Sequence, residues 1–104
     1  MQKVYVVIQE YMNEYEEVFT DIIHICNSLD LAVEKSNEFI QDAIRDYMRD
    51  YDDKFDFSNK GRYFSKNELF SEDGVNYLVS NMSQGEYAQE YHNLRIEEFE
   101  VRED

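Results

Sequence analysis

The chain has 104 residues, with 24 Asp and Glu against 10 Lys and Arg and a formal net charge of -14; its size excludes two independent cores, and its field repels nucleic acid and anionic membrane while attracting Lys- and Arg-rich surfaces. Hydrophobic residues at 42% and aromatics at 15% are enough for a core, which excludes disorder over most of the length. No apolar run exceeds Val4 to Ile8, whereas a membrane span needs about 20 residues and a secretory leader about 7 to 15, so a protein neither inserted nor secreted is expected.

From Lys3 to Met12, Val4, Val6, Ile8 and Met12 alternate with Tyr5, Val7 and Tyr11. Apolar residues on both faces predict a central strand. A polar cluster, Asn13, Glu14, Glu16 and Glu17, separates this from a β-branched stretch over Val18 to Cys26, which predicts an N-terminal antiparallel hairpin. Asn27 and Ser28 are good helix N-caps, and after them Ala32, Val33, Ser36, Ile40, Ala43, Ile44, Tyr47 and Tyr51 recur at three- and four-residue spacing. An amphipathic helix from about Leu29 to Asp52 follows.

Asp53 to Lys66 is polar and aromatic, with Asn59, Lys60 and Gly61 as turn formers, and reads as a long loop. Ser65 caps an expected short helix over Lys66 to Ser71 that Asp73 and Gly74 end. Val75 to Met82 predicts a third strand, Ser83 to Glu86 a turn and Leu94 to Val101 a last strand, while Glu86 to His92 fits either strand or helix. The expected architecture over residues 1–104 is a single α+β domain. A small antiparallel sheet of about four strands, from an N-terminal and a C-terminal hairpin, packs against one long amphipathic helix.

The most informative pattern is Asp30, Glu34, Glu38, Asp42, Asp46 and Asp50, an acid at every fourth position of the long helix. Each step of four advances about 6 Å and turns about 40° in the right-handed sense, so the row winds across the solvent side. Phosphates along a B-form strand also wind right-handed a few ångströms apart, at a larger radius. Its five like-charge i,i+4 pairs cost roughly 1 to 2.5 kcal/mol in total, which argues against a mere by-product of solubility. Lys35, Arg45 and Arg49 share the polar face and dilute the field. Asp52 and Asp53 extend it, and Glu97, Glu98, Glu100, Glu103 and Asp104 gather near the end.

Other chemistry finds less support. Asp50 to Asp56 invites calcium, yet Lys54 stands where a third ligand belongs and Phe55 where the loop needs Gly. His24 and Cys26 would share a strand face, but two ligands do not close a metal site and His92 is the only other histidine. With three glycines, no phosphate-cradling loop and no nucleophile–base grouping, no enzyme, cofactor or metal is expected. The single Cys26 allows no internal disulfide and fits a reducing cytoplasm.

Small size, acidity, the many Tyr residues and the row from Asp30 to Asp50 together resemble the small acidic inhibitors encoded by phages and mobile elements, among them DNA mimics, anti-restriction and anti-CRISPR proteins. The resemblance covers composition and one helix and transfers no residue. It implies residence in the host cell cytoplasm and occupation of the nucleic-acid channel of a basic protein, such as a nuclease effector. On this reading Asp30, Glu34, Glu38, Asp42, Asp46, Asp50, Asp52 and Asp53 are the partner contacts, with no direct nucleic-acid or membrane binding. The alternative is a structural or assembly accessory module, phage or bacterial, acting by homo- or hetero-oligomerisation, such as a homodimer, through an edge strand, with the strand from Leu94 to Val101 as the candidate.

Overall fold

The computed structural model describes residues 2–13, 15–81 and 90–102. The strands β1 (Gln2–Met12), β2 (Val18–Cys26), β3 (Phe55–Asp56), β4 (Val75–Ser80) and β5 (Tyr91–Val101) form one antiparallel sheet in the order β2-β1-β5-β4-β3. Helices α1 (Leu29–Asp50) and α2 (Lys66–Leu69) complete the α+β fold. No helix is long and apolar enough to cross a membrane among the described residues.

β1 is apolar on both faces and lies between β2 and β5. Its odd-numbered residues face α1. Val7 joins Ile40, Ile44, Phe64, Leu78, Leu94 and Ile96 in the core between sheet and helix. The even-numbered Val6 and Ile8 are 7% exposed yet lie outside that core, on the opposite face.

Ser28 caps α1 by accepting from the Leu31 N–H at 3.1 Å, which satisfies one of the donors a helix start leaves unpaired. The helix ends at Asp50, two residues before the expected Asp52. Asp52 and Asp53 sit at the negative end of the helix dipole, where carboxylates are unfavourable, and the chain turns there instead.

The loop after α1 is anchored from the helix itself. Buried Asn37 donates from Nδ2 to the Val33 and Phe64 carbonyls and accepts the Phe64 N–H at 2.7 Å. Gln41 donates to the Asn59 and Arg62 carbonyls and accepts from the Gly61 N–H.

The sheet has five strands where about four were expected. β3 is the addition: Phe55, 2% exposed, pairs with Ser80 while its carbonyl accepts from Asn81 Nδ2. α2 stops at Leu69, short of Ser71, because Ser71 Oγ donates to the Glu68 carbonyl and accepts the Gly74 N–H, closing the turn. At Gly74, with φ +63°, a Cβ would lie 2.6 Å from the Leu94 carbonyl oxygen, so glycine is required. β4 ends at Ser80, before Met82, and the turn expected at Ser83 to Glu86 lies outside the described residues, as does most of Glu86 to His92.

β5 begins at Tyr91, three residues earlier than the expected Leu94, because β1 pairs with it over its full length from Gln2↔Val101 to Met12↔Tyr91. It is an inner strand, yet β4 covers its outer side only from Tyr91 to Leu94, so Arg95 to Val101, most of the candidate strand of the assembly alternative, pairs with β1 alone among the described residues. Among the described residues the outermost strands are β2, of nine residues, and β3, of two.

Candidate binding surface

α1 presents one side to the sheet through Ala32, Val33, Ser36, Ile40 and Ile44. Asp30, Glu34, Glu38, Asp42, Asp46 and Asp50 are all exposed. Five steps of about 40° rotate the row by about 200°, so it crosses the solvent side diagonally, from one flank at Asp30 over the crest to the other at Asp50. Its length is about 30 Å along the axis. A full turn at this rate would take about 54 Å, against about 34 Å for a DNA strand. The row therefore matches the local separation of successive phosphates and not the pitch of a duplex.

Four of the six carboxylates have a cation within reach: Lys35 lies 3.4 Å from Glu38, Arg45 3.3 Å from Asp42, and Arg49 3.6 Å from Asp46 and 3.1 Å from Asp50. The Arg49 hydrogen bond holds the Asp50 carboxyl below its ordinary range. These pairs stand in solvent, where they contribute little, and a competing cation exchanges for them readily. Asp30 and Glu34 have no ion pair among the described residues.

Between helix and sheet, beside Asp42 and Asp46, lies a recess of about 290 Å³ walled by Phe39, Tyr47, Tyr77 and His92. Carboxylates at the mouth and aromatic faces within suit the head and stem of an Arg or Lys side chain. Burial pushes the Tyr47 phenol up to about 12, so it stays a neutral hydroxyl at physiological pH.

Asp52 and Asp53 are exposed in the turn that follows the helix and continue the row. The acids near the end divide between the two faces of the sheet. Alternation along β5 directs Glu98 and Glu100 to the helix side and Glu97 to the other. Glu98 is held by Tyr5 at 3.2 Å and Lys3 at 3.7 Å, whereas Glu97 pairs with Arg95 at 3.2 Å. Glu103 and Asp104 lie outside the described residues.

Lys54, which breaks the calcium pattern, reaches Glu90, itself 5% exposed, at 3.2 Å and lies 5.7 Å from the ring centres of Tyr51 and Phe55. It ties the end of α1 to the start of β5. No local spacing signals this contact, because its partners are 36 residues apart. His24 is exposed while Cys26 is buried, and burial raises the Cys26 thiol. No three His, Cys, Asp or Glu side chains gather as a metal-binding group among the described residues. Comparison with family models, with curated proteins and with solved structures finds no match.

Proposed function

We propose that this chain acts without catalysis, as an acidic binding protein that inhibits or regulates a basic nucleic-acid-binding protein by presenting carboxylates in place of phosphates. The observation that carries this reading is the exposure of all six row residues on a helix whose other side is locked to the sheet. Because the row is held in place, binding fixes few new side chains and no backbone, which lowers the entropic cost of docking. Asp30, Glu34, Glu38, Asp42, Asp46 and Asp50 are the contacts, continued by Asp52 and Asp53, and the recess beside Asp42 and Asp46 accommodates one Arg or Lys of the partner. Arg45 and Arg49, now paired within the helix, give up their carboxylates to the partner's cations at little cost.

The test is a pull-down from bacterial lysate across a salt gradient. A basic nucleic-acid-binding protein released by rising salt and displaced by added DNA is the expected outcome. The triple substitution Glu34→Gln, Asp42→Asn and Asp50→Asn should abolish its recovery. Recovery of only the chain itself or of an acidic partner would sink the reading.

A further inference from the structure

The surface of the sheet away from α1 differs in kind from the rest of this molecule. Register and pleat place Ile25 beside Val6, Ile22 beside Ile8, and Phe99 beside Val4 on that face. Ile22 and Ile25 are about two-thirds exposed, at 65% and 66%, and Val18 and Phe99 are exposed by about half. These apolar residues gather along β2, whose outer backbone groups have no neighbouring strand among the described residues. Of the 24 Asp and Glu residues, β2 carries one, Asp21. A long, apolar, nearly uncharged edge is what natural sheets avoid unless another strand covers it.

We propose that a second copy of this chain covers it, β2 pairing antiparallel with β2 across a two-fold axis to give a continuous ten-stranded sheet. A bulge between Val7 and Ile8 of β1 leaves Ile23 of β2 as an extra residue, so the regular part of β2 runs from Val18 to Ile22. A two-fold axis through Thr20 sets Thr20 against Thr20 of the second copy and Val18 against Ile22 on the apolar face. On the other face it sets Phe19 against Asp21. In this register Asp21, the one acid of the strand, does not meet Asp21 of the second copy. The strand thus pairs with itself apolar against apolar and without a like-charge contact, as an isologous contact requires. An axis normal to the sheet leaves both α1 helices on one side and merges the two apolar patches on the other.

This inference is independent of the proposed function, and salt separates them. Binding to a basic partner weakens with salt, whereas association of two chains of charge -14 tightens. Sedimentation equilibrium of the full chain should find a dimer whose dissociation constant falls several-fold from low to high salt. Val18→Lys with Ile22→Lys, both at exposed positions, should raise that constant at least tenfold while circular dichroism stays unchanged. Opposed residues of an antiparallel pair have Cα atoms about 4.5 to 5.5 Å apart, within disulfide reach, so Thr20→Cys should oxidise to a covalent dimer and Val18→Cys should not. A chain monomeric at every concentration and salt would overturn the proposal, as would equal cross-linking at residues 18 and 20. So would a monomer that takes up an unrelated extended peptide along β2.

Discussion

His92 stands among the rings of Tyr11, Tyr47, Tyr77 and Phe55, with centroid separations of 4.5, 4.9, 5.8 and 6.1 Å, and its Nε2 has no hydrogen-bond partner among the described residues. Burial pushes its pKa down to about 4 from an ordinary 6.5, so the folded chain refuses a proton that the unfolded chain accepts. The stability this confers is present above pH 6.5 and is lost as pH falls toward 4. Between pH 7 and pH 5 the native chain should lose about 2 kcal/mol more than a His92→Phe variant, whose imidazole is gone, in urea unfolding at the two pH values. Equal losses would mean that water reaches the ring. The comparison with the variant cancels the carboxylates, which become less repulsive on acidification. Nothing local in the sequence marks His92 as a core residue: its neighbours in space come from β1, α1, β3 and β4, and it lies at the end of a segment that fits helix and strand equally.

At the scale of elements, α1 carries its charge at a cost that can be measured. Substituting Glu34→Gln, Asp42→Asn and Asp50→Asn removes all five like-charge pairs of the row, roughly 1 to 2.5 kcal/mol of repulsion, along with two exposed ion pairs that offset only a small part of it. The net expectation is a chain about 1 kcal/mol more stable in urea unfolding; a less stable one would show that the row supports the fold. The helix was legible because its apolar residues recur over 22 positions behind a serine cap, and β2 because a β-branched run ends at a capping pair. β3 was not, because two residues in a polar, aromatic stretch carry no period, and Phe55 joins the core through Tyr47 of α1 and His92 of β5. The ends of α1 and α2 were legible to within two residues, their errors set by Asp52 at the dipole and by the Ser71 hydroxyl.

For the whole molecule, strand order decided what the sequence could not. Alternation in Leu94 to Val101 identifies a strand, but only the pairing of Gln2 with Val101 makes it the middle of the sheet and leaves β2 outermost. Alternation alone sets Glu97 and Glu98 on opposite faces, but only the pairing of Glu98 with Tyr5 shows which of them lies on the helix side. The candidate surface was fully legible as a list of residues, since helical periodicity fixes who shares a side, and its aromatic recess was not, since Tyr77 and His92 come from the far end of the chain. The molecule is elongated, 51 × 27 × 21 Å with a radius of gyration of 14.9 Å, against about 13 Å for a typical domain of this length. Its acids are thus spread over a long body and screened at moderate salt. Going from 20 to 500 mM sodium chloride should relieve about 1 to 2 kcal/mol of self-repulsion and raise the melting temperature by roughly 5 to 10 °C in calorimetry of dilute protein. An unchanged melting temperature would mean that its charges are already compensated internally.

The central position of β5 also has a consequence for how the protein is made. β1 emerges from the ribosome before the other strands, yet its inner neighbour is completed only at Val101, 99 residues after Gln2. At about 5 to 20 residues per second, the interval between the end of β2 and the end of β5 is roughly 4 to 15 s. During that time the nascent hairpin and the apolar side of α1 wait without their main partner. Throughout that interval the like charge along the helix and in the acidic turn before β2 disfavours association between neighbouring nascent chains, before β5 closes the sheet.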